Sequence, residues 1–291
     1  MNKRPGIVLF AYSEVGALCL EQLIKDGANI LCVFTHEDNP EEEIWFRSVA
    51  EIARRADIPV YTPKKPGVAE ISHIKALAPE LILSFYYRAL IPAEILALPR
   101  LGAFNMHGAL LPKYRGRACV NWAVLNGERE TGATLHLMTE KADRGDIIDQ
   151  EKVPILFTDT GHDVFLKVAE AAKKIMARAL PLLETGNAPR TPQNEAEATY
   201  FGRRRPEDGK IDWNKSAVEI YNLIRAVAHP FPGAFTEFNG KKIFIWKAQP
   251  LPGKAEPQQI VAYRPLTVGT GNGLLKIISL QPEGGAEREE L

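Results

Sequence analysis

The sequence predicts an α/β fold, a mostly parallel sheet flanked by helices, followed by a smaller unit of short strands folded as a β-barrel. Three observations carry this. Short apolar runs alternate with amphipathic stretches up to Gly186, as βαβ units around a buried parallel sheet require. A polar stretch rich in Pro, Gly and Arg, "NAPRTPQNEAEATYFGRRRPEDG", then breaks the alternation. Beyond it the strands are short and closely spaced, the texture of a small barrel. The expected boundaries are a first domain at 1–187, a linker at 188–205 and a barrel at 206–291.

The elements follow in order. "GIVLFAY" (6–12) is a fully apolar strand. "SEVGALCLEQLIKDG" continues as a helix with Ser13 as N-cap and Gly27 as its stop. "NILCVFTH" (29–36) is the second strand, and "EEEIWFRSVAEIARRADI" (41–58) an amphipathic helix with acidic residues at its start, where the helix dipole favours them. "PVYTP", "ELILSFYY" and "GAFNMH" read as strands and "VAEISHIKALAP" as a helix. "TGATLHLM" and "DIIDQEKVPI" add two strands, and 160–186 is a long helix capped by Thr160. After the linker come a helix at 216–227 and the strands "AFTEF", "KKIFIWKA", "QQIVAY", "LTVGT" and "LLKIISL".

Composition narrows the function. Lys+Arg and Asp+Glu both number 36, so no global field draws the chain to nucleic acid or an anionic membrane. The basic N-terminus lacks the long apolar run of a signal peptide, and no stretch approaches the roughly 20 apolar residues that span a bilayer, so a cytoplasmic protein is expected. Cys19, Cys32 and Cys119 are too scattered for a disulfide framework, and the first two read as small buried hydrophobes. "HEDNPEE" (36–42) matches no common metal spacing, so no metal is expected. The first βα turn lacks G-x-G-x-x-G, and no G-x-S-x-G elbow occurs. "GRRR" (202–205) reads as solvated linker.

The chemistry concentrates in "FNMHGALLPKYRGRA" (104–118). Asn105 and His107 are two residues apart, hence on one strand face, at the strand end where open α/β sheets bind ligands. A histidine among apolar residues is commonly a satisfied core group, but an Asn amide beside it can stabilise a developing oxyanion. Asp143, in a Gly-containing loop, could be a plain turn former. Facing His107, its carboxylate would raise the histidine pKa, leaving a protonated ring that donates to an oxyanion and exchanges a proton.

With those residues in view, Asn105-x-His107, "GALLPKYRG" and Asp143 within "ADRGDII" resemble the folate-dependent formyltransferases. The resemblance implies a Rossmann-like formyltransferase fold with an OB-like C-terminal barrel, and a catalytic triad of Asn105, His107 and Asp143. It implies N10-formyltetrahydrofolate as co-substrate, contacted by Ala89, Leu90, Ile91 and Arg117 and by the loop Thr139, Glu140, Lys141, Ala142 and Asp143. "FTHEDNP", "SFYYRALI", "NWAVLNGE" and "RAVAHPFPGAF" are most similar to the formyltransferase half of the bifunctional enzyme acting on UDP-4-amino-4-deoxy-L-arabinose, which serves lipid A modification and antibiotic resistance. The implied partner is a nucleotide sugar, with a decarboxylase acting in trans and a monomer or weak dimer as the resting state. The family usually has Pro where this chain has Cys119. The sugar's nucleotide stays open between UDP, dTDP and another nucleotide, and no residue is assigned to its diphosphate beyond the helix start near Ser13 as a candidate. The chief alternative is methionyl-tRNA formyltransferase. It is disfavoured because residues 205–291 hold 11 Lys/Arg against 10 Asp/Glu, whereas a tRNA-binding barrel should be basic. A formyltetrahydrofolate hydrolase and a non-catalytic scaffold are further alternatives; the filled triad argues against the second.

Overall fold

The computed structural model describes residues 4–40 and 43–289. Along the chain run β1 (Gly6–Ala11), α1 (Ser13–Lys25), β2 (Asn29–Phe34), α2 (Val49–Arg55), β3 (Val60–Tyr61), α3 (Val68–Leu77), β4 (Leu81–Phe85), α4 (Ala93–Leu96), β5 (Ala103–His107) and β6 (Arg115–Gly116). Then come α5 (Cys119–Leu125), β7 (Glu130–Leu137), β8 (Ile147–Pro154), α6 (Gly161–Thr185), β9 (Tyr200–Phe201) and α7 (Ala217–Val227). The chain closes with β10 (Ala234–Phe238), β11 (Lys241–Leu251), β12 (Ile260–Tyr263), β13 (Leu266–Gly269), β14 (Leu274–Pro282) and β15 (Arg288–Glu289).

Two compact units result. The first comprises the chain up to Gly116, Thr131–Val153 and Leu166–Tyr200; the second comprises Arg117–Glu130, Pro154–Phe165 and the chain from Phe201 onward. This differs from a single cut at 188–205, because two segments that precede the cut, Arg117–Glu130 and Pro154–Phe165, group with the C-terminal unit.

The first unit is built on a seven-stranded sheet ordered β3-β2-β1-β4-β5-β7-β8. β1 pairs in parallel with β2 and β4, β2 with β3, and β4 with β5, while β7 runs antiparallel to β5. The strand order reverses between β1 and β4, the switch point outside which such sheets bind ligands. Val8, Phe10, Phe34, Ile74 and Ile82 are fully buried in one cluster, and each such side chain contributes about 1.5–3 kcal/mol.

Local chemistry moved some boundaries. Glu41 and Glu42, the first positions of the helix expected at 41–58, lie outside the described residues. The helix itself starts at Val49, where the Ser48 hydroxyl accepts the Glu51 N–H at 3.3 Å. Arg47 is held out of it by Glu14, which takes its backbone N–H at 3.1 Å and its guanidinium at 2.7 Å, and by Glu21 at 2.8 Å. Ser13 does not cap α1. It is the first helical residue, with φ of 64°, and Tyr12 occupies the cap position without a side-chain hydrogen bond. α5 was not expected, although Cys119, Val120, Ala123 and Val124 form its buried side.

The second unit carries a six-stranded antiparallel sheet ordered β10-β11-β14-β13-β12, with β15 added to β14. α7 begins with a capping box in which the Ser216 hydroxyl accepts the Glu219 N–H and the Glu219 carboxylate accepts the Ser216 N–H. The "GRRR" stretch is not simply solvated: Arg204 lies 4.8 Å over the Trp122 ring and donates to the Asp208 carbonyl. Among the described residues no helix is long and apolar enough to cross a membrane.

Candidate active site

The last turn of β5 and the loop after β7 bring three titratable or amide side chains to one place in the first unit. Asn105 and His107 share a face of β5, as period two requires. Antiparallel pairing sets His136 of β7 directly across from Asn105, and Thr134 across from His107. The Thr134 hydroxyl donates to the Ala109 carbonyl and accepts the Leu111 N–H, which ties down the loop leaving His107.

His107 is 6% exposed. Its Nε2 lies 2.8 Å from the Tyr114 carbonyl, and because a carbonyl only accepts, Nε2 carries a proton. Its Nδ1 then faces Asp143 Oδ1 at 3.5 Å. His136 is fixed in the opposite sense. Its Nδ1–H donates to the Leu137 carbonyl at 2.9 Å, leaving Nε2 to accept from Asn105 Nδ2 at 3.2 Å. The same Nε2 is 3.5 Å from Asp143 Oδ1. Asp143 Oδ2 accepts the Gly116 N–H at 2.9 Å. Asn105, His107, Asp143 and the unanticipated His136 therefore form one cluster around a single carboxylate oxygen.

Charge in the cluster follows from burial and neighbours. Burial works against the Asp143 carboxylate, but His107, the His136 contact and the Gly116 N–H outweigh it and hold Asp143 well below the usual carboxylate range. Burial also acts on His107, and here it wins: the ring is held below the ordinary histidine value despite the opposing pull of Asp143 and the Tyr114 carbonyl. The expectation that Asp143 would keep His107 protonated is corrected accordingly. At neutral pH the ring is neutral, with Nε2–H committed to Tyr114 and the Nδ1 lone pair facing a carboxylate.

The remaining sequence candidates fall into three places. Ala89, Leu90 and Ile91 follow the carboxyl end of β4, whose Ser84 is paired with Asn105. Leu90 is 85% exposed there, while Ile91 packs on the core cluster. Thr139, Glu140, Lys141 and Ala142 are exposed in the loop leading to Asp143, with the Thr139 hydroxyl donating to the Lys141 carbonyl at 2.8 Å. Arg117 belongs to the second unit, exposed, its N–H donating to the Phe201 carbonyl at 3.0 Å. Cys32 is buried and its thiol is pushed up to about 12; Cys19, also buried, is raised further. Among the described residues no group of three or more His, Cys, Asp and Glu side chains is placed to hold a metal ion.

Comparison with known proteins gives the family and the fold. A family model described as formyl transferase matches residues 7–180, and a formyl transferase C-terminal domain model matches residues 204–289. Among solved structures, an N-formyltransferase from Helicobacter canadensis, in complex with folinic acid and dTDP-3-aminofucose, is 20% identical over 99% of this chain and 100% of its own, with a TM-score of 0.75. WlaRD, a sugar 3N-formyl transferase solved with dTDP and 5-N-formyl-THF, is 21% identical over 94% of this chain and 97% of its own, with a TM-score of 0.73. HypX from Aquifex aeolicus, in complex with tetrahydrofolic acid, matches 99% of this chain but 46% of its own length, at 20% identity and a TM-score of 0.66. At these identities the structural likeness speaks to the fold.

Proposed function

The chain belongs to the formyl transferase family, and from that premise we propose that it moves a formyl group from N10-formyltetrahydrofolate to the 4-amine of a nucleotide-linked amino sugar, UDP-4-amino-4-deoxy-L-arabinose first among them. The observation that carries the reading is the Asp143 carboxylate oxygen standing 3.5 Å from both His107 and His136, with Asn105 held against His136. The acceptor sugar rests on whole-chain resemblance in sequence, and with it the place in lipid A modification.

The folate supplies the formyl carbon; the amine nitrogen bonds to it, the N10–carbon bond breaks, the amine gives up a proton and N10 takes one. Negative charge gathers on the formyl oxygen during this exchange. Asn105 has two amide hydrogens, of which His136 engages one, so the other is available to that oxygen. Such a donor is typically worth about 100- to 1000-fold in rate. The His107 Nδ1 lone pair, facing Asp143, takes the proton that the amine loses, and the ionised Asp143 stabilises the imidazolium that results. Exposed Leu90, at the carboxyl end of β4, offers an apolar surface suited to a flat ring of the co-substrate.

A second reading keeps the chemistry and changes the acceptor. The Helicobacter canadensis N-formyltransferase matches the full length of this chain, and its complex holds dTDP-3-aminofucose, which supports a dTDP-linked amino sugar. One assay separates the two. The protein is incubated with N10-formyltetrahydrofolate and either sugar, and mass spectrometry follows the gain of one formyl group. Product from the UDP sugar supports the first reading, and product from the dTDP sugar alone supports the second. Product from initiator methionyl-tRNA alone would defeat both.

A further inference from the structure

We infer that Arg115 and Gln193 form a clamp that sets the position of the Asp143 carboxylate and thereby tunes His107; both are positioning residues for the formyl transfer proposed above. The inference rests on the role given there to Asp143.

Arg115 is fully buried, at 0% exposure. A cation is rarely placed there unless every donor is matched. Its guanidinium donates to Gln193 Oε1 at 2.7 and 3.1 Å, to the two Glu195 carboxylate oxygens at 2.7 and 3.0 Å, and to the Tyr200 hydroxyl. With its oxygen committed to Arg115, the Gln193 amide has one orientation. Its Nε2 donates to the Asp143 carbonyl at 2.9 Å and to the Gly145 carbonyl at 2.7 Å. Both ends of the Gln193 side chain are thus occupied, one by the buried cation and the other by the backbone on either side of residue 144.

That backbone needs holding. Asp143 has φ of 58°, in the left-handed region that a non-glycine residue adopts only when its surroundings impose it. The residue after Arg115, Gly116, donates its N–H to Asp143 Oδ2. The dipeptide Arg115–Gly116 therefore grips Asp143 twice, at its carboxylate directly and at its backbone through Gln193. Oδ1, the oxygen left over, is the one that faces both histidines. A carboxylate pinned at Oδ2 and at its own carbonyl has little freedom to change its distance from His107.

The test uses the full chain and Gln193→Met, which keeps side-chain length and removes the Nε2 hydrogens together with the oxygen that accepts from Arg115. Gln193 is half-buried in a segment outside helix and strand, so the fold should survive. Expected are a fall in kcat on the order of tenfold or more, larger than any change in KM for the amino sugar, and a lowered Tm, because two donors of buried Arg115 lose their acceptor; the His107 midpoint is the readout that separates the clamp from a merely structural role. The His107 imidazole, followed by NMR titration, should titrate at lower pH than in the wild type, because a displaced carboxylate supports the charged ring less. Arg115→Lys should move the same two readouts in the same directions. Asp143→Asn sets their limit. Wild-type kcat and His107 midpoint in Gln193→Met, with both changed in Asp143→Asn, would overturn the clamp and leave the proposed function standing. A loss of kcat with lowered Tm but an unmoved midpoint would also overturn it, since that is what a merely structural residue does. An unchanged Asp143→Asn would remove the function reading and the clamp together.

Discussion

Gly145→Ala is the sharpest single perturbation of this site. A Cβ at Gly145 would lie 1.9 Å from the Leu137 carbonyl oxygen and 2.7 Å from its carbon. Contacts under 3.0 Å are essentially never made by real Cβ atoms, so the two backbones must part by about 1 Å. Neither side can yield without consequence. The Leu137 carbonyl is the acceptor that fixes the His136 tautomer, and the Gly145 carbonyl is one of the two anchors of Gln193. A displacement of about 1 Å in catalytic groups costs on the order of 100-fold in rate, about 2.7 kcal/mol of barrier at 1.36 kcal/mol per tenfold. Overpacking itself destabilises by about 1–3 kcal/mol, which lowers Tm by about 2–4 °C per kcal/mol. The expected result is a kcat/KM for formyl transfer reduced roughly 100-fold beside a Tm lower by several degrees. Gly202→Ala is the control, since a Cβ there meets nothing within 4 Å, and it should behave as wild type. Wild-type kcat/KM in Gly145→Ala would show that the 136–145 hairpin does not hold the reacting groups, and the mechanism would fall.

Other substitutions test the parts singly. Asn105→Ala should lower kcat by about 100- to 1000-fold with little change in Tm, and near-normal turnover would remove the oxyanion role. His136→Phe keeps a ring of similar size but no acceptor for Asn105; kcat should fall by about tenfold as the amide loses its fixed orientation, and an unchanged kcat would assign His136 to the core alone. If, as proposed, a neutral His107 is the reactive form, the pH profile of kcat should show an acid limb below the ordinary histidine value of about 6.5, and a limb above it would contradict the burial argument. Stability has the same sign. Both His107 and Asp143 have depressed folded-state pKa values, so the unfolded chain binds the proton first as pH falls. Tm should therefore drop below about pH 6.5 and again below about pH 3.9, and Asp143→Asn should lose the lower step.

Much of this was legible in the sequence because period and position carry it. Apolar runs such as 6–11 and 81–85 can be little else than buried parallel strands, and Asn105 and His107 share a face of β5 by period alone. His136 left no such mark. It sits among apolar residues of β7, and its relevance appears only when the antiparallel register sets it across from Asn105. The contacts of the stretch at 188–205 were hidden for a related reason. Its Pro, Gly and charged residues have the composition of a linker, yet Gln193, Glu195 and Tyr200 are the partners of Arg115, which lies in the chain well before them. The helix expected from residue 41 depends on spacing, whereas Arg47 follows the carboxylates of Glu14 and Glu21.

The charge of His107 was the one inference whose sign the sequence could not supply. An Asp near a His argues for a raised pKa, and the strength of that attraction is local. The opposing cost depends on how completely the ring leaves water, which only the packing of β5, Tyr114 and the 136–143 segment decides. With the ring 6% exposed, burial exceeds the attraction. That outcome suits the chemistry better than the one expected. An amine that attacks a formyl carbon must give up a proton, and a histidine already protonated has no place for it. A neutral ring whose free lone pair faces an ionised carboxylate can take the proton and be stabilised by the same carboxylate afterwards. In the proposed mechanism the Asn105 amide, held against His136, is left to meet the oxyanion. The division of labour makes the two roles separable: Asn105→Ala should lower the rate without moving the acid limb, whereas Asp143→Asn should move it to lower pH.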